Sequence, residues 1–379
     1  QRQMCIRDST YTAGSFTINA ANLVITANSP SAITYGDSTP SNGYSTTGLN
    51  AADTITGITY TYTGTGTTIY AASTTAPTTA GTYSITPSAV TFSDTNAAGR
   101  YTSISYVAGN FTINKKALTV TPSNTNVTYG TSSPTFTPTV TGFIAGQSAA
   151  NAAGYSAPTC SSSGYSATAT TGATSTITCA SGSATNYSFT TTATATATVI
   201  QATLAVVADA KSVIYGEAAP SFTFSISGFV NSQSASNAAS YVAPTCSAAS
   251  YTRTTNAGTA VSITCSGGSA TNYTFAYTAG ALTINKRTSL AITAGSPSAI
   301  TYGASTPANS FSTAGMAAND VISTVTYTYA GTGSTTYAAS TTAPTAPGTY
   351  SITPSAPVFT TGSIDNYNTV TYTAGSFTI

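Results

Sequence analysis

The chain has 379 residues and carries nine Lys or Arg against eight Asp or Glu, a net charge of +1, with charged residues at only 4% and no His or Trp. Scattered basic residues give no electrostatic footprint for phosphate backbones or anionic lipid, so nucleic acid is excluded as an expected partner. No apolar run approaches the roughly 18 residues of a membrane span, and 25 Tyr with 13 Phe recurring at matched positions argue for a folded chain rather than a disordered one.

In chain order, residues 1–9 match nothing that follows; Met4 to Ser9 resembles a translated sequencing adapter, and no function is drawn from Cys5. Residues 10–19 contain Thr10 to Ile18, which returns unchanged as Thr371 to Ile379. This stretch is expected to be the closing strand of a preceding repeat, completed by something outside the four repeats of this chain, with Phe16 and Ile18 needing a sheet to cover them. Both termini are expected to be cuts in a longer protein.

Next comes the stretch around which the chain is organised, Tyr35-Gly36 with Pro40. It returns as Tyr129-Gly130 with Pro134, Tyr215-Gly216 with Pro220 and Tyr302-Gly303 with Pro307, the tyrosines spaced 94, 86 and 87 residues apart. One plan of about 90 residues is therefore used four times. Each copy follows a short apolar alternation, such as Ala32 to Tyr35 or Asn126 to Tyr129, as a half-buried strand does. The Gly ends it by allowing positive φ, and the Pro fixes φ while withholding an N–H. The motif is read as structural punctuation that touches no ligand.

The expected boundaries are 20–114, 115–200, 201–285 and 286–379. Strands are predicted at Ile58 to Tyr62, Thr82 to Ile85 and Phe111 to Ile113, with counterparts at Val325 to Tyr329, Thr349 to Ile352 and Phe377 to Ile379, while no window carries a helical stripe. The predicted fold is all-β, a tandem array of four immunoglobulin-like β-sandwich domains forming an elongated rod. Strands meet across Ile113 to Leu118 and Ile284 to Arg287 without flexible spacers, and the charges there are read as a solvated joint.

Repeats one and four share Tyr-Ala-Ala-Ser-Thr-Thr-Ala-Pro, at Tyr70 to Pro77 and Tyr337 to Pro344, whereas repeats two and three carry cysteines. Cys160 with Cys179 and Cys246 with Cys265 share a spacing of 19 and the same context, Pro-Thr-Cys with Ile-Thr-Cys. With no His and no Cys-x-x-Cys, metal is excluded and disulfides within each repeat are predicted, each contributing about 3 kcal/mol in the chain-entropy model and implying an oxidising compartment. Aligning Ile85 with Ile177 puts Pro87 at the second cysteine; Tyr60, Tyr62, Tyr327 and Tyr329 are the expected fillers near the missing bridge. The closing strand of repeat two, Thr190 to Val199, has Ala197 where the others have Phe111, Leu282 and Phe377, so repeat two is expected to depend most on its disulfide.

An opening Ala117 to Val120, Tyr129-Gly130 with Pro134, Gly142-Phe143, Asn186-Tyr187 and a closing Leu282-Thr283-Ile284-Asn285-Lys286 together resemble the MBG repeat, a mostly bacterial immunoglobulin-like domain of large secreted adhesins. Gly228-Phe229 and Asn272-Tyr273 continue the pattern in repeat three; Arg100-Tyr101 departs from Asn-Tyr, and the outer repeats lack the Gly-Phe step. The resemblance implies stalk or spacer roles at cell surfaces and carries no catalytic residue.

Catalysis needs converging acid–base groups, and eight carboxylates without His do not supply them. Asp37 and Glu217 are read as replaceable turn residues; Asp53 and Asp320 correspond but have no acidic counterpart in repeats two and three, and nothing is dense enough for calcium. Gly64-Thr65-Gly66 and Gly331-Thr332-Gly333 are turns rather than phosphate cradles. Asn110, Asn126, Asn186 and Asn272 begin glycosylation acceptor patterns of the kind that arise by chance in an Asn- and Thr-rich chain. The expected function is non-enzymatic, extracellular and structural: a stalk segment of a surface adhesin or a subunit of an extracellular filament, without cofactor. The alternative is a module binding carbohydrate or a surface protein, which a cluster of outward-facing Tyr would favour. Identical copies or neighbouring repeats of the same protein are the expected partners, and unguarded Thr-rich edges are expected to let such arrays bundle.

Overall fold

The computed structural model describes residues 12–132 and 134–379. Residues 1–9 with Cys5, and the first two residues of the strand expected from Thr10, lie outside the described residues.

The chain forms two compact units, one of residues 12–125 with Pro134–Tyr165 and Thr174–Thr198, the other of residues 126–132 with Ser166–Ala173 and Val199–Ile379. In the first, repeat one contributes a three-stranded sheet in which Ala21–Ala27 pairs antiparallel with Tyr44–Thr47 and parallel with Tyr101–Val107. Its second sheet runs in the order Ile33–Thr34, Gly109–Asn114, Gly81–Phe92, Ile55–Gly64. Repeat two follows the same plan, with Lys116–Thr121 between Thr139–Thr141 and Tyr187–Thr191, and Thr174–Cys179 between Cys160–Ser162 and Ala195–Ile200. In the second unit, repeat three places Ala202–Ala208 between Phe224–Ser227 and Tyr273–Thr278, and Gly280–Asn285 and Val261–Ser266 between Lys211–Ile214 and Thr245–Ser247. Repeat four places Arg287–Ala294 between Phe311–Ala314 and Tyr367–Thr373, and Thr349–Thr361 between Val321–Gly331 and Gly375–Thr378. The fold is all-β and immunoglobulin-like, two facing sheets per repeat.

Alternation drives the burial. In Ala202–Ala208 every second side chain is buried, placing Ala202, Leu204, Val206 and Ala208 inward. Leu204 and its counterparts Leu23, Leu118 and Leu290 are fully buried, each contributing about 1.5–3 kcal/mol.

Two corrections to the sequence reading follow. The closing segment is not one strand: Tyr101–Val107 belongs to the first sheet and Gly109–Asn114 to the second. Gly109 makes the transfer possible, because a Cβ there would lie 2.5 Å from the Asn28 carbonyl oxygen; Gly280 and Gly375 meet the oxygens of Ala208 and Gly295 at 2.5 and 2.4 Å. The Thr190 to Val199 segment is likewise split between Tyr187–Thr191 and Ala195–Ile200. Residues 12–18 form no strand, and Phe16 and Ile18 are 88% and 82% exposed. The second concerns the outer repeats, which lack Gly-Phe as read but keep the same turn with a different apolar residue: Gly48, before Leu49, and Gly315, before Met316, have positive φ, as Gly142 and Gly228 do.

The cysteines are bonded as pairs, Cys160 to Cys179 and Cys246 to Cys265, with Cα atoms 4.0 Å apart in both. Each pair sits directly opposite across two antiparallel strands. At the same register in repeats one and four stand Tyr60 opposite Pro87 and Tyr327 opposite Pro354. Proline is tolerated inside Gly81–Phe92 because pairing with Gly109–Asn114 ends at Ile85, so no ladder bond asks for its N–H. Tyr62 and Tyr329, two residues along, are each 4% exposed and fill the core.

Candidate functional site: the joints between repeats

The tyrosines of the repeated Tyr-Gly motif do more than mark turns. In the first unit the apolar core of repeat one runs on into repeat two, with Tyr35, Tyr83, Phe111, Leu118 and Tyr187 in one buried cluster. Tyr35 meets Tyr187 edge-on, ring centroids 5.4 Å apart at 82°, an arrangement worth about 0.5–1.5 kcal/mol beyond burial. Gln147 lies between their hydroxyls: its Nε2 donates to Tyr35 Oη at 2.9 Å, and Tyr187 Oη donates to its Oε1 at 2.5 Å. Beside them Asn186 Oδ1 accepts the Ala80 N–H at 3.0 Å, and Lys115 Nζ donates to the Ala184 carbonyl at 2.9 Å. Gly36, with φ of 95°, has no room for a side chain, since a Cβ would stand 2.6 Å from Ile144.

Within the second unit the same joint is made twice more. Tyr129 meets Tyr273 edge-on at 5.6 Å and 84°. Tyr273 Oη donates to Gln233 Oε1 at 2.7 Å, Asn272 Oδ1 accepts the Thr171 N–H at 2.9 Å, and a Cβ on Gly130 would stand 2.4 Å from Val230. Further along, Tyr215 and Tyr367 lie 6.3 Å apart at 75°. Both hydroxyls donate to Asp320, at 2.6 Å to Oδ1 and 2.7 Å to Oδ2. Asn366 Oδ1 accepts the Ala257 N–H at 2.8 Å, and Ala317 lies 2.7 Å from where a Gly216 Cβ would be.

Burial, reinforced by the hydrogen bonds to Asp320, pushes the Tyr367 hydroxyl up to about 12 and the Tyr215 hydroxyl higher still. Arg287 donates through Nη1 to the Tyr215 carbonyl at 3.1 Å and to Glu217 at 2.9 Å. Arg287 thus reaches across its joint to the preceding repeat, unlike the solvated charge expected from sequence, whereas Lys115 is exposed and bonds within its own repeat.

The chemistry is that of a lock. A Tyr-Gly turn from one repeat is clasped by an Asn-Tyr pair and a Gln or Asp of the next, and the carboxamide, carboxylate and clasping hydroxyl are hydrogen-bonded. The Gln or Asp always stands three residues after the position whose N–H bonds the clasping tyrosine: Ile144 to Gln147, Val230 to Gln233, Ala317 to Asp320 and Asn50 to Asp53. Sequence reading missed this position because its residue type changes from Gln to Asp; the fixed offset from the Gly-apolar step was the available signal. Asn186 and Asn272, which begin glycosylation acceptor patterns in the sequence, are 6% and 4% exposed and their side chains are spent in the joint.

Not every motif residue is drawn in. Tyr35, Tyr129 and Tyr215 are buried to 8%, 4% and 0%, whereas Tyr302 is 71% exposed and a Cβ on Gly303 would meet nothing. Pro134 lines a shallow groove with Phe136 and Tyr155; Pro40, Pro220 and Pro307 are half-buried beside their turns. Among the described residues no group of three His, Cys, Asp or Glu converges as a metal site, and no helix is long and apolar enough to cross a membrane.

The family model described as MBG domain (YGX type) matches residues 118–198 and 204–283. Two stretches in tandem thus match that domain, as MBG-like repeats between residues 118 and 283. No curated protein matches the chain. Among solved structures it is similar to the N-terminal eight immunoglobulin domains of Down Syndrome Cell Adhesion Molecule isoform 1.30.30, at 9% identity over 92% of this chain and 48% of that one, with a TM-score of 0.16. It is also similar to Sidekick-1 immunoglobulin domains 1–4, at 7% identity over 88% and 92%, with a TM-score of 0.14. The chain spans about half the length of the first of these.

Proposed function

We propose that the chain is a non-enzymatic, extracellular structural segment, a stalk or spacer of a surface adhesin or a subunit of an extracellular filament, built from four domains at 20–114, 115–200, 201–285 and 286–379. The observation that carries this reading is the threefold recurrence of one joint, in which the family-signature Tyr-Gly and Asn-Tyr residues are spent on holding neighbouring repeats. Residues committed to that task are not available to a ligand. The two disulfides support an oxidising, extracellular setting. The alternative, a carbohydrate- or protein-binding module, asks for outward tyrosines in a cluster, and the described tyrosines mostly face inward: Tyr302 is 71% exposed, and Tyr44, Tyr277 and Tyr372, each in a different part of the chain, 38–40%.

The test is joint stiffness. A Gly130→Val chain places a branched side chain on a residue with φ of 88° and into Val230, which costs at least about 1–3 kcal/mol and should open that joint alone. Small-angle scattering of the unaltered chain is expected to fit one fixed arrangement of repeats, and of the variant a broadened one. An unaltered chain that scatters as freely jointed domains would remove the basis for a spacer.

A further inference from the structure

Two faces in this molecule have the parts of the joint but not its usual polar match. Repeat four presents Tyr302 and Gly303 beside a groove of about 290 Å³ that Ile300, Pro344 and Ile379 help to line. In the three internal joints, the residue before the glycine that faces the end of the closing strand (Gly81 opposite Ile113, Gly172 bonded to Val199, Gly258 to Ile284) donates its N–H to the incoming Asn: Ala80, Thr171 and Ala257. In repeat four that residue is Pro347, directly before Gly348, and it has no N–H to give. An Asn-Tyr face seated here would bury a carboxamide oxygen without its donor.

Repeat one presents the opposite departure. Arg100 stands where Asn186, Asn272 and Asn366 stand, next to Tyr101. Tyr101 Oη donates to Asp53 Oδ2 at 2.7 Å, as Tyr367 does to Asp320, and Arg100 bonds the other oxygen of Asp53, the one corresponding to the oxygen that takes the Tyr215 hydroxyl. A guanidinium has no acceptor atom, so this face asks for no N–H. What Pro347 fails to donate, Arg100 does not need.

We infer that repeat four is the seat for repeat one of a second copy of this array, joined end to end with Tyr302 clasped by Tyr101 and Asp53. The inference rests on the joint as the structural element of the proposed spacer and names the one pairing of faces that the three internal joints leave unused. The seated geometry continues an interface already made three times. The sequence supplies the same order independently: the residues directly before repeat one, Thr10 to Ile18, are identical to the last nine of repeat four, and Ile18 precedes Leu23 by the same five residues as Ile113 precedes Leu118. On seating, Arg100 swings off Asp53 or shares it, leaving the carboxylate to receive the Tyr302 hydroxyl as Asp320 receives that of Tyr215.

The test is a chain of two complete copies, the second entering at Asn19 directly after Ile379, compared with the single chain. The readout is the nitration rate of Tyr302 in the first copy, read by peptide mass. Seating is expected to slow it about tenfold or more, towards the rate of Tyr129 or Tyr215 in the same molecule. Arg100→Asn in the second copy should undo most of that protection, since it puts a buried acceptor opposite Pro347; adding Pro347→Ala in the first copy should restore it by supplying the N–H. A Tyr302 that nitrates in the fused chain as fast as in the single chain overturns the inference, and so does protection that Arg100→Asn leaves unchanged. Either result leaves the internal joints, tested through Gly130→Val, untouched.

Discussion

Asp320 is the residue on which the joint between repeats three and four turns, and Asp320→Ala probes it directly. Its carboxylate accepts two hydroxyls, at 2.6 and 2.7 Å, from Tyr215 and Tyr367, which are 0% and 4% exposed. Truncation leaves both donors buried without an acceptor, at about 1–3 kcal/mol each. A water entering the vacated space, large enough for about one molecule, recovers part of this. The net cost is therefore about 2–4 kcal/mol, confined to opening of this joint. Native-state hydrogen exchange reads it where it occurs: the N–H groups of Ala257 and Ala317, bonded to Asn366 Oδ1 and Tyr367 Oη, should exchange roughly 30- to 700-fold faster. The Ala80 N–H, in the joint between repeats one and two, should not change. Asp320→Asn, which offers one acceptor and one donor as Gln147 does to its two tyrosines, should recover most of the loss. Exchange at Ala257 and Ala317 accelerated less than about threefold, or accelerated equally at Ala80, would refute the reasoning.

Two more outcomes follow from the same geometry. Tyr215 and Tyr367 titrate above the ordinary tyrosine value because burial and Asp320 favour their neutral forms. A group whose folded value is raised lends stability that is whole below its unfolded value and lost as pH rises through the folded one. The Ala257 N–H should hold its full protection up to about pH 10, the unfolded tyrosine value, and lose it progressively above that as pH climbs to the raised Tyr367 value of about 12 and past it; protection already lost below pH 10 contradicts the assignment. Tyr60→Cys with Pro87→Cys places a cysteine pair at the register that Cys160 and Cys179 occupy in repeat two. It should oxidise spontaneously, seen as a mass gain of two hydrogens on reduction, and a pair that stays reduced in air would show that the two registers are not equivalent.

The period of the array, the strand alternation and the cysteine pairs were legible in the sequence because each depends on local spacing: a Tyr-Gly turn ends a strand wherever it occurs, and two cysteines 19 residues apart with matched flanks imply two paired strands. The same spacing put Pro87 opposite a tyrosine instead of a cysteine. What lay beyond sequence reading was which groups meet from different repeats. Closing segments such as Tyr106 to Ile113 read as single strands because period-two alternation runs through them, and only the close approach of Gly109 to the Asn28 carbonyl shows where the chain changes sheets. Gln147 and Asp320 share no residue type, yet they do one job, because that job is accepting a tyrosine hydroxyl and either side chain reaches it from the same backbone position. Asn186 read as an acceptor pattern for sugar, and its partner, the Ala80 N–H, stands 106 residues away. Turns and strands are decided by neighbours along the chain, whereas the joint is decided by neighbours in space, and only the folded chain shows that the Asn carboxamide beside the clasping tyrosine is met by a backbone N–H of the neighbouring repeat.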